Sequence, residues 1–167
     1  MKRSYASAAT SKSMVQETTP TDEFRPASPS YGRPLGKEVT VPQIKQLGRV
    51  MIPVADQDTA IAFYSEKLGF SLTADVPFGD GDRWVEVSPP RGGAAIALVP
   101  ANADFQAGRM TGIALDSTDP KADHAALAAA GVDVDGELVG GDGVVPLMFF
   151  LRDHDGNHLL IVEGQDS

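Results

Sequence analysis

The sequence contains no cysteine, and none of its apolar runs is longer than a few residues. Without cysteine there can be no disulfide framework, no thiolate metal site and no cysteine nucleophile. The short apolar runs exclude a membrane-spanning helix, which needs about 20 consecutive apolar residues. No continuous apolar segment that would serve as a secretory signal is present, so we expect a cytoplasmic protein without a membrane partner.

Basic residues are also scarce, since 14 Lys and Arg stand against 23 Asp and Glu and give a net charge of -9. This balance argues against a nucleic acid as the main partner, because the phosphate backbone would be repelled. The chain has 167 residues, of which 42% are hydrophobic. That is enough for one ordinary domain, or for two small repeats that share a core.

The charge is divided unevenly along the chain. Residues 1–45 hold seven basic and four acidic residues, a net charge of +3, whereas the remainder carries -12. The first segment is rich in Ser and Thr and contains five prolines: Pro20, Pro26, Pro29, Pro34 and Pro42. Because such a composition cannot bury enough apolar surface to offset its chain entropy, we expect residues 1–44 to form a disordered tail and residues 45–165 to fold. The start of this segment weakly resembles an organellar transit peptide, but its sequence does not show the amphipathic helix that such peptides form.

After the tail, the pattern predicts a strand, a helix and three more strands. Residues 49–54 alternate as a half-buried strand does. Asp56 is a suitable helix N-cap, and the apolar stripe that follows ends at Gly69. Further strands are predicted over 70–76, 83–88 and 94–99, separated by turns rich in Gly, Asp and Pro.

The second half repeats this order at a separation of 63 residues, as between Asp56 and Asp119. A strand over 112–115 precedes a helix over 122–130, for which Asp119 and Pro120 form the expected start. Strands are predicted over 132–138, 147–152 and 158–163. Self-similarity at this period indicates a duplicated unit, with modules at 47–100 and 110–163.

Several short motifs resemble those of the vicinal oxygen chelate superfamily, which includes glyoxalase I, extradiol dioxygenases and bleomycin-resistance proteins. These are Val54-Ala-Asp56, Ala60-Ile-Ala-Phe-Tyr64, Lys67-Leu-Gly-Phe70, Arg83-Trp84, Ser88-Pro-Pro90 and Asp153-His-Asp-Gly-Asn157. The resemblance covers about 47–163. It implies an α+β fold of two tandem βαβββ modules, which form a curled antiparallel sheet around a central cavity with the helices outside.

Members of that family with enzymatic activity hold a divalent metal in the cavity, and the resemblance places its four ligand positions at Arg49, Ala97, Gly112 and Leu160. A guanidinium does not coordinate a cation, and the other three side chains offer no donor atom. We therefore predict that the family metal site is absent and that no cofactor is bound.

Strand alternation indicates which side chains face the cavity. Val50, Ile52 and their counterparts on the other strands have the parity of the helix side. The predicted ligand-binding residues, which have the opposite parity, are Arg49, Met51, Trp84, Glu86, His158 and Leu160. An aromatic ring, a methionine and a few polar groups are typical of a small-molecule site.

Each of these polar residues also has a structural interpretation. Arg49 and Glu86 could form an ion pair that fixes the sheet, and Trp84 could fill the wall of the barrel. His158 could be a hydrogen-bonded core residue, a general base or a displaced metal ligand. His124 and His154 are expected on an outer helix face and a turn.

Three functions remain open from the sequence. The first is a metal-independent small-molecule-binding protein that resembles the bleomycin-resistance branch, whose members sequester cationic drugs at a dimer interface. A homodimer and a cationic ligand would follow, and a charge of -12 attracts cations. The second is a lyase, isomerase or dioxygenase with a displaced metal site that uses His158 and Glu86. The third is a regulatory or interaction module whose basic tail docks on a partner.

Overall fold

The computed structural model describes residues 41–79 and 81–164, so most of the predicted tail lies outside the described residues. Residues 41–48 form no helix or strand, and their side chains are exposed. All helices and strands described below lie within the unit that begins at Gln43.

The elements follow the predicted order twice. The first module contains β1 (Arg49–Val54), α1 (Gln57–Glu66), β2 (Ser71–Phe78), β3 (Asp82–Ser88) and β4 (Ala95–Pro100). The second contains β5 (Met110–Ser117), α2 (Pro120–Ala129), β6 (Asp133–Val134), β7 (Met148–Arg152) and β8 (His158–Glu163). The two-module α+β architecture is therefore confirmed.

Each module forms its own four-stranded sheet, and the strand orders β1-β4-β3-β2 and β5-β8-β7-β6 are the same. The expectation of an antiparallel sheet was wrong at one edge of each, because β1 runs parallel to β4 and β5 runs parallel to β8. Because the helix carries the chain back across the sheet, β2 runs in the same direction as β1. The chain then reverses between β2 and β3 and again between β3 and β4, so β4 also runs in the direction of β1. The two sheets do not close into one barrel.

Both helices begin and end at the predicted signals. The Oδ1 atom of Asp56 accepts a hydrogen bond of 2.7 Å from the Thr59 N–H, and that of Asp119 accepts one of 3.0 Å from Ala122. Gly69 and Gly131 follow the helices with φ of 70° and 78°, a left-handed conformation that glycine adopts without strain. Within 41–79 and 81–164, no helix is long and apolar enough to cross a membrane.

The core lies on the helix side of both sheets. Buried residues of both modules form one apolar cluster that includes Ile52, Val54, Val85, Val87, Ile96 and Leu98 from the first sheet, Phe149, Leu151, Leu159 and Ile161 from the second, and Tyr64 and Leu127 from the helices. This is the parity that alternation assigned to the helix side. The opposite faces of the sheets are therefore left for a site.

One predicted strand is much shorter than expected. The apolar pattern predicted a strand over 132–138, but β6 has two residues and is followed only by an isolated bridge between Val139 and Met148. At Asp135 the side chain itself accepts a hydrogen bond from the Phe150 N–H, 3.3 Å long, and pairs with Arg152 at 2.6 Å. The Asp135 N–H still donates to the Phe150 carbonyl at 2.9 Å, but the carboxylate replaces the Asp135 carbonyl as acceptor for Phe150, so the ladder ends there.

Candidate functional site

Four predicted site residues share the face of the first sheet that is turned away from the core. Met51 of β1 is in register with Ala97 of β4, which is in register with Glu86 of β3. Residues in register lie on the same side of a sheet, and alternation adds Arg49 and Trp84 to that side. The neighbours Val85 and Val87 are buried on the helix side.

Arg49, Trp84 and Glu86 form a connected polar cluster. The Nε atom of Arg49 lies 2.6 Å from Oε1 of Glu86, and the indole N–H of Trp84 donates to the same oxygen at 2.7 Å. The guanidinium carbon of Arg49 lies 5.9 Å from the centre of the Trp84 ring, within the range of a cation–π contact. The Glu86 side chain is 12% exposed and that of Arg49 51%. The carboxylate is thus nearly buried and engaged, whereas half of the arginine faces outward.

An exposed apolar surface adjoins this cluster. The ring of Phe78 lies 5.6 Å from that of Trp84, at an angle of 54°. Phe78 is 59% exposed, and Met51 and Val76 are about half exposed. Together with the cluster, these side chains form a face with aromatic surface and a small number of polar groups, the composition typical of sites for small molecules. We call this set of Arg49, Met51, Val76, Phe78, Trp84 and Glu86 the tryptophan face.

The other two predicted residues lie on the second sheet. His158 and Leu160 of β8 have the parity opposite to the buried Leu159 and Ile161. The His158 ring lies 6.5 Å from that of Phe150. Among the described residues, no hydrogen bond, ion pair or ring contact joins His158 or Leu160 to the tryptophan face. The structure thus divides the predicted site residues into two groups.

The family ligand positions do not fit a divalent metal. Arg49 and Ala97 lie on the first sheet, Gly112 and Leu160 on the second, and none has an oxygen, sulfur or imidazole donor in its side chain. In the part of the chain that the structure describes, no group of three His, Cys, Asp or Glu residues could hold a metal ion. No catalytic step through a metal can be derived from these residues.

Sequence reasoning missed the polar clasp that joins the two modules, formed by the turn between β7 and β8. Its Asp153 accepts a 3.0 Å hydrogen bond from the Tyr64 hydroxyl of α1, and Asp155 accepts one of 2.8 Å from the Ala55 N–H. The Asn157 amide donates to the Pro53 carbonyl at 2.9 Å. Burial, followed by the charge of Asp153, raises the pKa of Tyr64, so the phenol remains a donor. One signal was available: Tyr64 is the only residue of its apolar helix stripe with a hydroxyl.

A groove with a volume of about 1300 Å³ lies outside the predicted site. It lies between the modules and is lined by helix-side residues such as Val50, Ile113 and Leu127, together with the turn 89–93. That turn is the counterpart, 63 residues earlier, of the clasp, but it carries no carboxylate. The groove therefore lies where an equivalent set of hydrogen bonds would join the modules a second time. Aromatic and charged groups converge on the tryptophan face instead.

Comparisons with known proteins place this geometry in a family. A family model described as "Glyoxalase/Bleomycin resistance protein/Dioxygenase superfamily" matches residues 46–161. The YetH protein of Bacillus subtilis (strain 168) is 40% identical over 57 residues, which are 34% of this chain. That match spans 48% of the length of YetH, about half of it.

Two solved structures match most of the described domain. TnmS3, an antibiotic binding protein from Streptomyces sp. CB03234, has a TM-score of 0.65 and 31% identity, covering 75% of this chain and all of its own. A member of the same superfamily from Sphaerobacter thermophilus DSM 20745 has a TM-score of 0.67 and 28% identity, covering 72% of this chain and 98% of its own. From the duplicated βαβββ topology, the match over 46–161 and these neighbours, we conclude that the chain belongs to the glyoxalase/bleomycin resistance protein/dioxygenase superfamily.

Proposed function

We propose that the chain is a metal-independent binding protein for a small molecule with a flat apolar body, and that the ligand lies on the tryptophan face. The observation that carries this proposal is the joint Arg49–Glu86–Trp84 cluster beside the exposed Phe78 ring. An exposed aromatic surface with a buried, oriented polar group provides both contact area and orientation for a ligand. The name of TnmS3 as an antibiotic binding protein supports a drug-like ligand.

A homodimer belongs to this proposal. Met51, Val76 and Phe78 on the first sheet and Met110 on the second are each about half exposed or more. An apolar sheet face of this kind is stable when a second layer covers it. We propose that a second copy supplies that layer, that its own His158 and Leu160 complete the site, and that the dimer acts in the cytoplasm. A mass twice that of the chain in light scattering after gel filtration would support it, and a monomeric mass at micromolar concentration would contradict it.

The enzymatic alternative has less support from the geometry. A displaced metal site would need both His158 and Glu86, and Glu86 is already bound by Arg49 and Trp84. A cationic drug remains the prediction from the charge of -12 on the folded part. It would have to share the Glu86 carboxylate with Arg49, whose contact is to one of the two oxygens.

Calorimetric titration of EDTA-treated protein with metal-free bleomycin, a cation, and with neutral 2-naphthamide tests the proposal. We expect at least one of them to bind without added metal. Replacing Trp84 by Leu should weaken that binding about five- to a hundred-fold, because the ring supplies stacking area and holds Glu86. Phe63→Leu is the control, since Phe63 is a partly buried ring of α1 on the opposite side of the first sheet. Binding that requires metal, or equal losses in both variants, would contradict the proposal.

A further inference from the structure

We infer that Arg49 is the polar anchor of the tryptophan face, and that the site selects a fused-ring aromatic compound with a carbonyl, phenolate or carboxylate oxygen over the cationic analogue. This inference rests on the proposed function, because it assigns the ligand chemistry of the same site. It reverses the preference for cations that the net charge favours.

Glu86 is the only negative group of the cluster. One of its oxygens meets both the guanidinium of Arg49, at 2.6 Å, and the indole N–H of Trp84, at 2.7 Å. Its side chain is 12% exposed. A ligand ammonium group would have to approach the other oxygen of this carboxylate or displace one of these partners. It would then lie next to the guanidinium, where like charges repel. Glu86 therefore serves to position Arg49.

Arg49 is the charged group of the cluster that faces outward. A guanidinium has five N–H donors in a planar fork that matches oxygen acceptors. The closest contact to Glu86 is made through Nε, and within the described ranges no other carboxylate pairs with this arginine. With 51% of its side chain exposed, Arg49 offers its remaining donors to a ligand. Held by Glu86 and the Trp84 ring, the fork is oriented before binding, so less entropy is lost when it binds an acceptor.

The positions of the rings indicate the shape of the ligand. The guanidinium lies 5.9 Å from the centre of the Trp84 ring, and the centre of the Phe78 ring lies 5.6 Å from that of Trp84. The cationic group and the two rings thus adjoin one another. A fused-ring aromatic body stacked on these rings can carry an oxygen at the edge nearest to Arg49. A neutral carbonyl satisfies this arrangement as a carboxylate does, and it avoids the repulsion from the acidic domain.

A series of three probes with the same ring system tests the inference: 2-naphthoate, 2-naphthamide and 2-naphthylmethylammonium, titrated at 0.15 M salt. The chain has one tryptophan, so the Trp84 indole N–H gives a single nuclear magnetic resonance signal for the side chain that touches Glu86. We expect the amide and the carboxylate to bind at least ten-fold more tightly than the ammonium compound. Arg49→Met should weaken the first two about ten-fold or more and leave the third unchanged or tighter.

The matched control is Arg83→Met on the same strand. Arg83 pairs with Asp75 at 2.6 Å and with Asp58 at 2.8 Å, and it has the parity of the helix side, so its loss should not change the series. Arg49→Gln is a second variant in case the methionine variant unfolds. The inference would be overturned, and the binding function left standing, if the unsubstituted protein bound the ammonium compound more tightly than the amide and the carboxylate, or if Arg49→Met weakened the binding of all three probes equally. If no probe shifts the indole signal, the proposed function fails as well.

Discussion

The hydroxyl of Tyr64 on α1 lies 3.0 Å from the Oδ2 atom of Asp153, 89 residues further along the chain in the turn between β7 and β8. Both side chains are buried, at 0% and 5% exposure. Asp153 also accepts hydrogen bonds from the backbone N–H groups of Asp155 and Asn157. The contact between the modules is therefore directional at this point as well as apolar, which orients one sheet against the other.

Removal of the hydroxyl should destabilise the domain. We expect Tyr64→Phe to lower the free energy of unfolding by about 1–3 kcal/mol, because a hydrogen bond to a buried carboxylate is lost while the ring volume is kept. Urea unfolding measures this change. In a double-mutant cycle with Asp153→Asn, the two substitutions should be coupled by about 0.5–3 kcal/mol. Additive effects would show that the two groups do not depend on each other.

The same tyrosine predicts a loss of stability at high pH. Burial raises the pKa of Tyr64 above its ordinary value of 10.0. Below pH 10 the phenol is protonated in the folded and the unfolded chain, so the group adds no pH dependence there. Above pH 10 the unfolded chain loses the proton and the folded chain keeps it, so the free energy of unfolding falls by about 1.4 kcal/mol per pH unit.

Urea unfolding at pH 9, 10 and 11 checks this expectation against Tyr64→Phe. Above pH 10 the free energy of unfolding of the unsubstituted protein should fall more steeply than that of the variant. The difference should be about 1.4 kcal/mol per pH unit, which corresponds to one proton. Parallel curves for the two proteins would show that Tyr64 ionises as readily in the folded state as in the unfolded one.

Elements with local signals were predictable from the sequence. The bounds of β1 and β8 agree with the alternation, and each helix begins after its predicted cap, Asp56 or Asp119. Alternation and the 63-residue period also placed Arg49, Trp84 and Glu86 on one face, because side-chain parity along a strand needs no knowledge of distant neighbours. The ion pair between Arg49 and Glu86 was one of the interpretations offered for these residues.

Features that depend on distant contacts were not predictable. Nothing near Asp153 in the sequence indicates Tyr64 as its partner, since their contact depends on how two modules pack. The end of β6 depends on a side chain, that of Asp135, which competes with the backbone for Phe150. For the same reason, the sequence could place His158 and Trp84 on equivalent faces but could not show that these faces belong to separate sheets.

Deletion of residues 1–44 should leave the folded domain intact. The segment carries five prolines and little apolar surface, and the described residues at its end, such as Val41 and Ile44, are exposed. We expect the melting temperature to change by no more than a few degrees and the affinity for the naphthyl probes to be retained. A larger fall would mean that the segment contributes to the domain and that the predicted boundary is wrong. If the full chain bound a partner protein and the shortened but folded chain did not, the interaction-module alternative would be favoured.

The purified protein should not hold a stoichiometric metal. After supplementation with Zn, Ni, Mn or Fe and removal of excess ion, we expect mass spectrometry to find well under one equivalent of each. The physical reason is the set of side chains at the family ligand positions, Arg49, Ala97, Gly112 and Leu160: one is a fixed cation, and the others have no donor atom. His158 is the neighbouring side chain that could substitute as a ligand. One equivalent of tightly bound metal that disappears in His158→Ala would contradict the proposal of metal-independent binding and favour the enzymatic alternative, because a zinc or iron site at that position would need this imidazole.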